Sequence, residues 1–256
     1  MEYEGKLWYC YGAIGTERML NLSKQEALRQ RYRAMRPNYR PSLEIYTEWM
    51  DKSVFEYTRL LDAGCGPGGL VKHYVDKAAL VIGVDRYASS FQEPAEISTL
   101  VESDLDRLPF PDASFDVVTC SWVLEHLKTP KQVFAEISRV LKTGGHFLFI
   151  TPNKRNHVVW LRRLMPNNLG RRATRAIYAR DEDFINPTYY RANTFREINT
   201  MLSDVGLRCE RFEHVGDPTY LAFNEFLFRA SVVIEQAIDR FAPQTRVHLV
   251  GMYEKL

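Results

Sequence analysis

The stretch TRLLDAGCGPGG, residues 58–69, constrains this chain more than any other. Leu60, Leu61 and Ala63 are apolar strand positions, and the run ends in a turn holding Gly64, Gly66, Gly68 and Gly69. Glycine there lets the backbone turn sharply and lets another group approach closely. A strand, a glycine turn and a following helix define the edge at which open α/β sheets bind nucleotides. The expected architecture is therefore α/β, with the turn facing a ligand.

The glycine spacing does not select that ligand. Gly64, Gly66 and Gly69 satisfy G-x-G-x-x-G, the dinucleotide pattern. Gly64, Gly66 and Gly68 equally satisfy the G-x-G-x-G of S-adenosylmethionine (SAM) enzymes. The next apolar run, ALVIGVDR, ends in Asp85, whose carboxylate can accept from both hydroxyls of a ribose. NAD and SAM share that ribose.

The segment that follows separates them. It offers Asp104, then LPFPDASFD over residues 108–116, then VVTCSWV, and then Glu125, His126 and Leu127. A helical KQVFAEISRVLK and a strand-like TGGHFLFITPN come next. In this order the motifs resemble class I SAM-dependent methyltransferases over about residues 58–153. The resemblance implies a Rossmann-like, seven-stranded, mostly parallel sheet with helices on both faces and an antiparallel last strand. It assigns Asp62, Ala63, Gly64, Cys65, Gly66, Asp85, Arg86, Asp104, Leu105 and Ser121 to cofactor binding. Asp62 and the Gly64–Gly66 backbone would meet the methionine end, and Asp85 the ribose. Asp104 would accept from the adenine amino group, Leu105 would donate its backbone N–H, and Ser121 would offer a carbonyl to the ammonium.

At 256 residues the chain suits one domain. It divides into an N-terminal helical lid (1–55), a SAM-binding core (56–153), a basic substrate-side insertion (154–192), and the rest of the sheet with an added helix (193–256). Ser23 with Glu26, and Thr194 with Glu197, have capping-box spacing, and Thr129 before Pro130 reads as an N-cap. Tyr9, Tyr11, Arg31 and Tyr32 are lid candidates for ligand contact. No acidic residue occurs between Glu136 and Asp181, whereas Lys154, Arg155, Arg162, Arg163, Arg171, Arg172, Arg175 and Arg180 do. Interleaved with Val158, Val159, Trp160, Leu161, Leu164 and Met165, they suit a basic amphipathic helix. Such a helix lies on an anionic membrane surface or receives an acidic substrate; a solvated basic face is the plainer alternative. The region is similar to an insertion of the ubiquinone-biosynthesis O-methyltransferases.

Net charge is +2, which gives no nucleic-acid signal. Cys10, Cys65, Cys120 and Cys209 form no C-x-x-C pair, which fits a reducing compartment and no zinc site. With no leader-like or bilayer-length apolar run, a cytoplasmic monomer or homodimer is expected, with peripheral membrane contact through 154–180 as an option.

His126, at the end of the fourth strand, is the candidate general base, since a neutral imidazole takes a proton from a phenol or activated hydroxyl. A loop-shaping role is its rival. Glu125 with His126 as a cation site is a lesser option, and no metal is expected. His157 and Tyr190 are candidates on the substrate side, while His73, His146, His214 and His248 read as core or surface residues. The expected reaction is O-methylation of a small-molecule or lipid-linked acceptor, giving S-adenosylhomocysteine (SAH). C-methylation and sugar or glycolipid methylation are alternatives within the fold. A non-catalytic SAM-binding scaffold and an NAD-dependent oxidoreductase are alternatives outside it.

Overall fold

The computed structural model describes residues 22–66, 70–87, 99–164 and 187–256. Seven strands form one sheet in the order β3-β2-β1-β4-β5-β7-β6. They are β1 (Arg59–Ala63), β2 (Leu80–Asp85), β3 (Thr99–Glu102), β4 (Phe115–Ser121), β5 (Leu141–Pro152), β6 (Leu207–Val215) and β7 (His248–Lys255). All neighbouring pairs are parallel except those of β7, which runs against both β5 and β6. The expected antiparallel last strand is present, inserted between its neighbours.

Strand alternation places one core on each face of the sheet. Leu61 and Ala63 of β1 and Phe147 and Phe149 of β5 face α3 (Pro130–Val140) and α5 (Phe195–Ser203), which contribute Phe134, Ile137, Ile198 and Leu202. Leu60 of β1 and Leu148 and Ile150 of β5 face α2 (Ser42–Ser53), which contributes Ile45, Tyr46, Trp49 and Met50. Burying side chains of this size contributes roughly 1.5–3 kcal/mol each. α2 is thus a structural layer of the sheet and not only part of a lid.

Helix α1 (Leu22–Met35) begins before Ser23, so Ser23 lies in the first turn and does not precede it. Arg31 and Tyr32 face α6 (Glu225–Phe241): Arg31 pairs with Glu225 at 2.9 Å, and Tyr32 packs with Phe228 and Val232. Both side chains thus pack on this helix, and Tyr9 and Tyr11 lie outside the described residues. Thr129 makes no side-chain cap; its hydroxyl donates to Asp106 at 3.2 Å. Thr194 does cap, with its oxygen accepting from Glu197 N–H at 3.3 Å. The helix expected after the glycine turn is a five-residue 3-10 helix, Leu70–Tyr74. Of the basic insertion, His157–Leu164 forms α4, and residues 165–186 lie outside the described set.

Candidate active site

The carboxyl ends of β1, β2 and β4 bring the cofactor candidates together. Gly64 (φ +87°) and Gly66 (φ +52°) hold left-handed backbone that other residues rarely adopt. A Cβ on Gly66 would meet nothing within 4 Å, so the turn leaves open space beside it. The Asp85 carboxylate accepts from Gly66 N–H at 2.9 Å and from Tyr87 N–H at 3.3 Å. The strand-end acid and the glycine turn are therefore one hydrogen-bonded unit, although 19 residues separate Asp85 from Gly66.

Asp62 is 2% exposed, and its carboxylate accepts from Thr119 at 3.2 Å. Burial pushes its carboxyl up to about 7; the Thr119 hydrogen bond opposes the rise and the charge of Asp85 adds to it. A buried carboxylate that makes no ion pair among the described residues suits a ligand ammonium. Ala63 and Cys65 flank this turn and are buried, with the Ala63 carbonyl accepting from Cys120 Sγ at 3.2 Å. Asp104 is exposed and paired with Arg86, so both stand at the same strand edge, and half-buried Leu105 packs against the first core.

Ser121 closes β4, and its hydroxyl donates to Tyr46 Oη of α2 at 3.0 Å. Burial raises the Tyr46 phenol above its ordinary range, so it stays protonated. No motif singles out Tyr46; its one signal in the sequence is an apolar position in an amphipathic helix.

His126 and Tyr190 are both tied to the end of the insertion, Tyr190 through the carbonyl of Glu125, the residue before His126. His126 Nδ1 lies 3.0 Å from the Pro187 carbonyl. A carbonyl only accepts, so Nδ1 carries the proton and Nε2 of the neutral ring keeps its lone pair. The Glu125 carbonyl accepts from Tyr189 and Tyr190 N–H at 2.8 and 3.2 Å, and Lys154 Nζ donates to the Tyr190 carbonyl at 3.2 Å. The buried Glu125 carboxylate accepts from Thr151 at 2.9 Å and so points into the protein. No cluster of metal-ligating side chains occurs among the described residues. His157 lines a pocket with Asp217, Tyr220 and Glu235, and burial lowers its pKa.

These arrangements sit on a Rossmann-like fold of the kind found in SAM-dependent methyltransferases. Residues 61–149 match the family model described as a methyltransferase domain, and that stretch holds Asp62, Gly64, Gly66, Asp85, Asp104, Ser121 and His126. The chain is 31% identical over 157 residues to a ubiquinone biosynthesis O-methyltransferase of Serratia proteamaculans, covering 55% of this chain and 63% of the relative. It is 40% identical over 99 residues to a malonyl-[acyl-carrier protein] O-methyltransferase of Herminiimonas arsenicoxydans, covering 37% of each. It spans about half the length of the curated relatives it matches. A SAM-dependent methyltransferase structure from Mesorhizobium loti superposes with a TM-score of 0.56 at 18% identity, covering 84% of this chain and 98% of that one. At that identity the likeness is one of fold. No described helix is long and apolar enough to cross a membrane.

Proposed function

We propose that this chain is a SAM-dependent O-methyltransferase acting on a small-molecule or lipid-linked acceptor. The observation that carries the reading is the convergence of buried Asp62, left-handed Gly64 and Gly66, and Asp85 at one sheet edge. In this reading Asp62, Ala63, Gly64, Cys65 and Gly66 hold the amino-acid end of SAM together with the Ser121 carbonyl. Asp85 takes the ribose, and Arg86, Asp104 and Leu105 flank the adenine.

Bound there, SAM supplies an electrophilic methyl on a sulfonium. The chain's own work is to exclude water, orient the acceptor in line and remove its proton, and proximity can carry much of the rate. His126 is a candidate base, because the Pro187 carbonyl fixes the tautomer that leaves Nε2 able to accept. Tyr190 and His157 border the acceptor side. Segment 154–180 faces an anionic membrane surface in the lipid-linked case, a role supported by exposed Trp160 and by its basic, acid-free sequence.

Calorimetry with SAM, SAH and an NADH control tests the reading. SAM and SAH should bind at micromolar concentration and NADH should not. Asp85→Ala should weaken SAM binding at least about tenfold, roughly 1.4 kcal/mol. Unchanged affinity in that variant would remove Asp85 from the site.

A further inference from the structure

Helix α6 is apolar on two faces, and the fold covers one of them. Phe228 and Val232 pack inward with Tyr32 and Ala222. On the outer side Phe226 and Phe241 are 78% and 76% exposed, and Val233 and Ile234 are 64% and 42% exposed. Each residue advances about 100° around an α-helix, so these four side chains, with Ala230 and Ala237, form one stripe about 100° wide. Covering it removes on the order of 500 Å² of apolar surface, since one phenylalanine buries about 150–250 Å². The largest apolar patch of an ordinary monomer measures about 300–600 Å² and often serves an interaction.

The order of residues along the stripe identifies what covers it. The stripe is the same read from either end: Phe226 and Phe241 lie equally far from the midpoint between Val233 and Ile234, and so do Ala230 and Ala237. A twofold interface must be complementary to itself, because one patch meets its own copy. Two such helices laid antiparallel set Phe226 against the partner's Phe241, Ala230 against the partner's Ala237, and Val233 against the partner's Ile234. A lipid surface or an unrelated protein makes no demand for such symmetry. Charge follows the same arrangement. Glu225 and Arg229, paired at 2.9 Å, and Arg240 lie on one edge of the stripe and leave its centre uncharged, as interface centres are. The antiparallel pairing brings Glu225 within a turn of the partner's Arg240.

We propose that the outer face of α6 docks a second copy of this chain, helix against helix and antiparallel, about a twofold axis that passes between Val233 and Ile234. Both copies together bury about 1,000 Å², the lower bound of a specific interface, so the dimer is weak and forms with rising protein concentration. Phe226 and Phe241, about 22 Å apart along the helix, are the anchors at its two ends. The inference stands apart from the O-methyltransferase reading, because it concerns a surface and not the cofactor edge of the sheet.

Sedimentation equilibrium of the full chain tests it. The mass should rise from one chain towards two between about 1 and 100 μM, the range expected of a small interface. Phe226→Asp with Phe241→Asp should stay a monomer throughout and keep its melting temperature, since both side chains are exposed. If that variant unfolds, a Val233→Cys chain in a Cys10→Ser background carries the comparison. Its two sulfurs meet across the axis, so mild oxidation should link the copies in non-reducing electrophoresis. A parent chain that stays monomeric, a folded double variant that still dimerises, or a Val233→Cys chain that does not cross-link would each overturn the proposal. So would a monomer that binds phosphatidylglycerol vesicles and loses that binding in the double variant, which would assign the stripe to a lipid surface.

Discussion

Gly64 and Val123 approach so closely that a Cβ on the glycine would lie 2.5 Å from Val123 Cγ2. The residue that opens the cofactor turn is therefore packed under the loop that carries Glu125 and His126. Position 64 is restricted twice, by this contact and by its φ of +87°. Gly64→Ala should cost at least about 2 kcal/mol, since left-handed backbone alone costs an L-residue about 1–2 kcal/mol and the overlap adds to it. Urea denaturation measures the loss. Val123→Ala in the same background should recover part of it, and no recovery would mean that backbone strain is the whole effect.

With SAM placed as proposed, Asp62 should make its affinity depend on pH. Its carboxyl is held up at about 7 in the free protein, and a ligand ammonium favours the ionised form. Affinity for SAM should therefore weaken as pH falls from 7 to 5.5, by up to about tenfold per unit. In Asp62→Asn the affinity should be lower and its slope over this range flat. Calorimetry at constant ionic strength reads both, and an unchanged slope in the variant would take the ammonium away from Asp62.

Glu235 carries a similar burden without a ligand to relieve it. Burial, with Asp217 and Asp239 nearby, raises its carboxyl to about 7. The folded state thus holds this proton more tightly than the unfolded chain does. The associated stability is full below about pH 4, and it is lost as pH rises through about 7. Glu235→Gln should stabilise the protein at pH 8 by on the order of 1–2 kcal/mol and change little at acid pH. Denaturant midpoints at the two pH values compare them.

Arg29 and Asp217 form a buried pair whose value lies in not being broken. Their side chains are 11% and 5% exposed, and Asp217 also accepts from the Thr219 hydroxyl at 2.6 Å. Arg29→Met strands the Asp217 charge in the interior, and about 3–5 kcal/mol of stability should go with it. Arg29→Met with Asp217→Asn should recover much of that loss. A double-mutant cycle by chemical denaturation gives the coupling, and additive losses would show that the two residues act independently.

Much of the cofactor half was legible because its signals are local. Gly64 and Gly66 are needed where the backbone turns left-handed, and Asp85 closes the next apolar run, so parallel pairing of β1 with β2 brings it back to the turn. Thr194 capped as its spacing indicates, whereas Thr129, with an equally good residue type, turned its hydroxyl to Asp106. A cap is a choice between hydrogen-bond partners, and sequence displays only one of them. Arg31 and Tyr32 read as lid residues because nothing nearby in the chain shows α6, against which they pack.

The sequence by itself determined the alternation of strand and helix, the glycine turn, the acid after β2 and the motif order of a SAM-dependent methyltransferase domain. These follow from backbone conformation and from side-chain periodicity over a few residues. Tertiary structure alone decided which side chains meet at the sheet edge. Tyr46 reaches Ser121 across 75 residues of chain, Arg29 reaches Asp217 across 188, and Ser42 reaches His248 across 206. Such contacts depend on where separate elements settle when both faces of the sheet are covered, and no local pattern of residues encodes that placement.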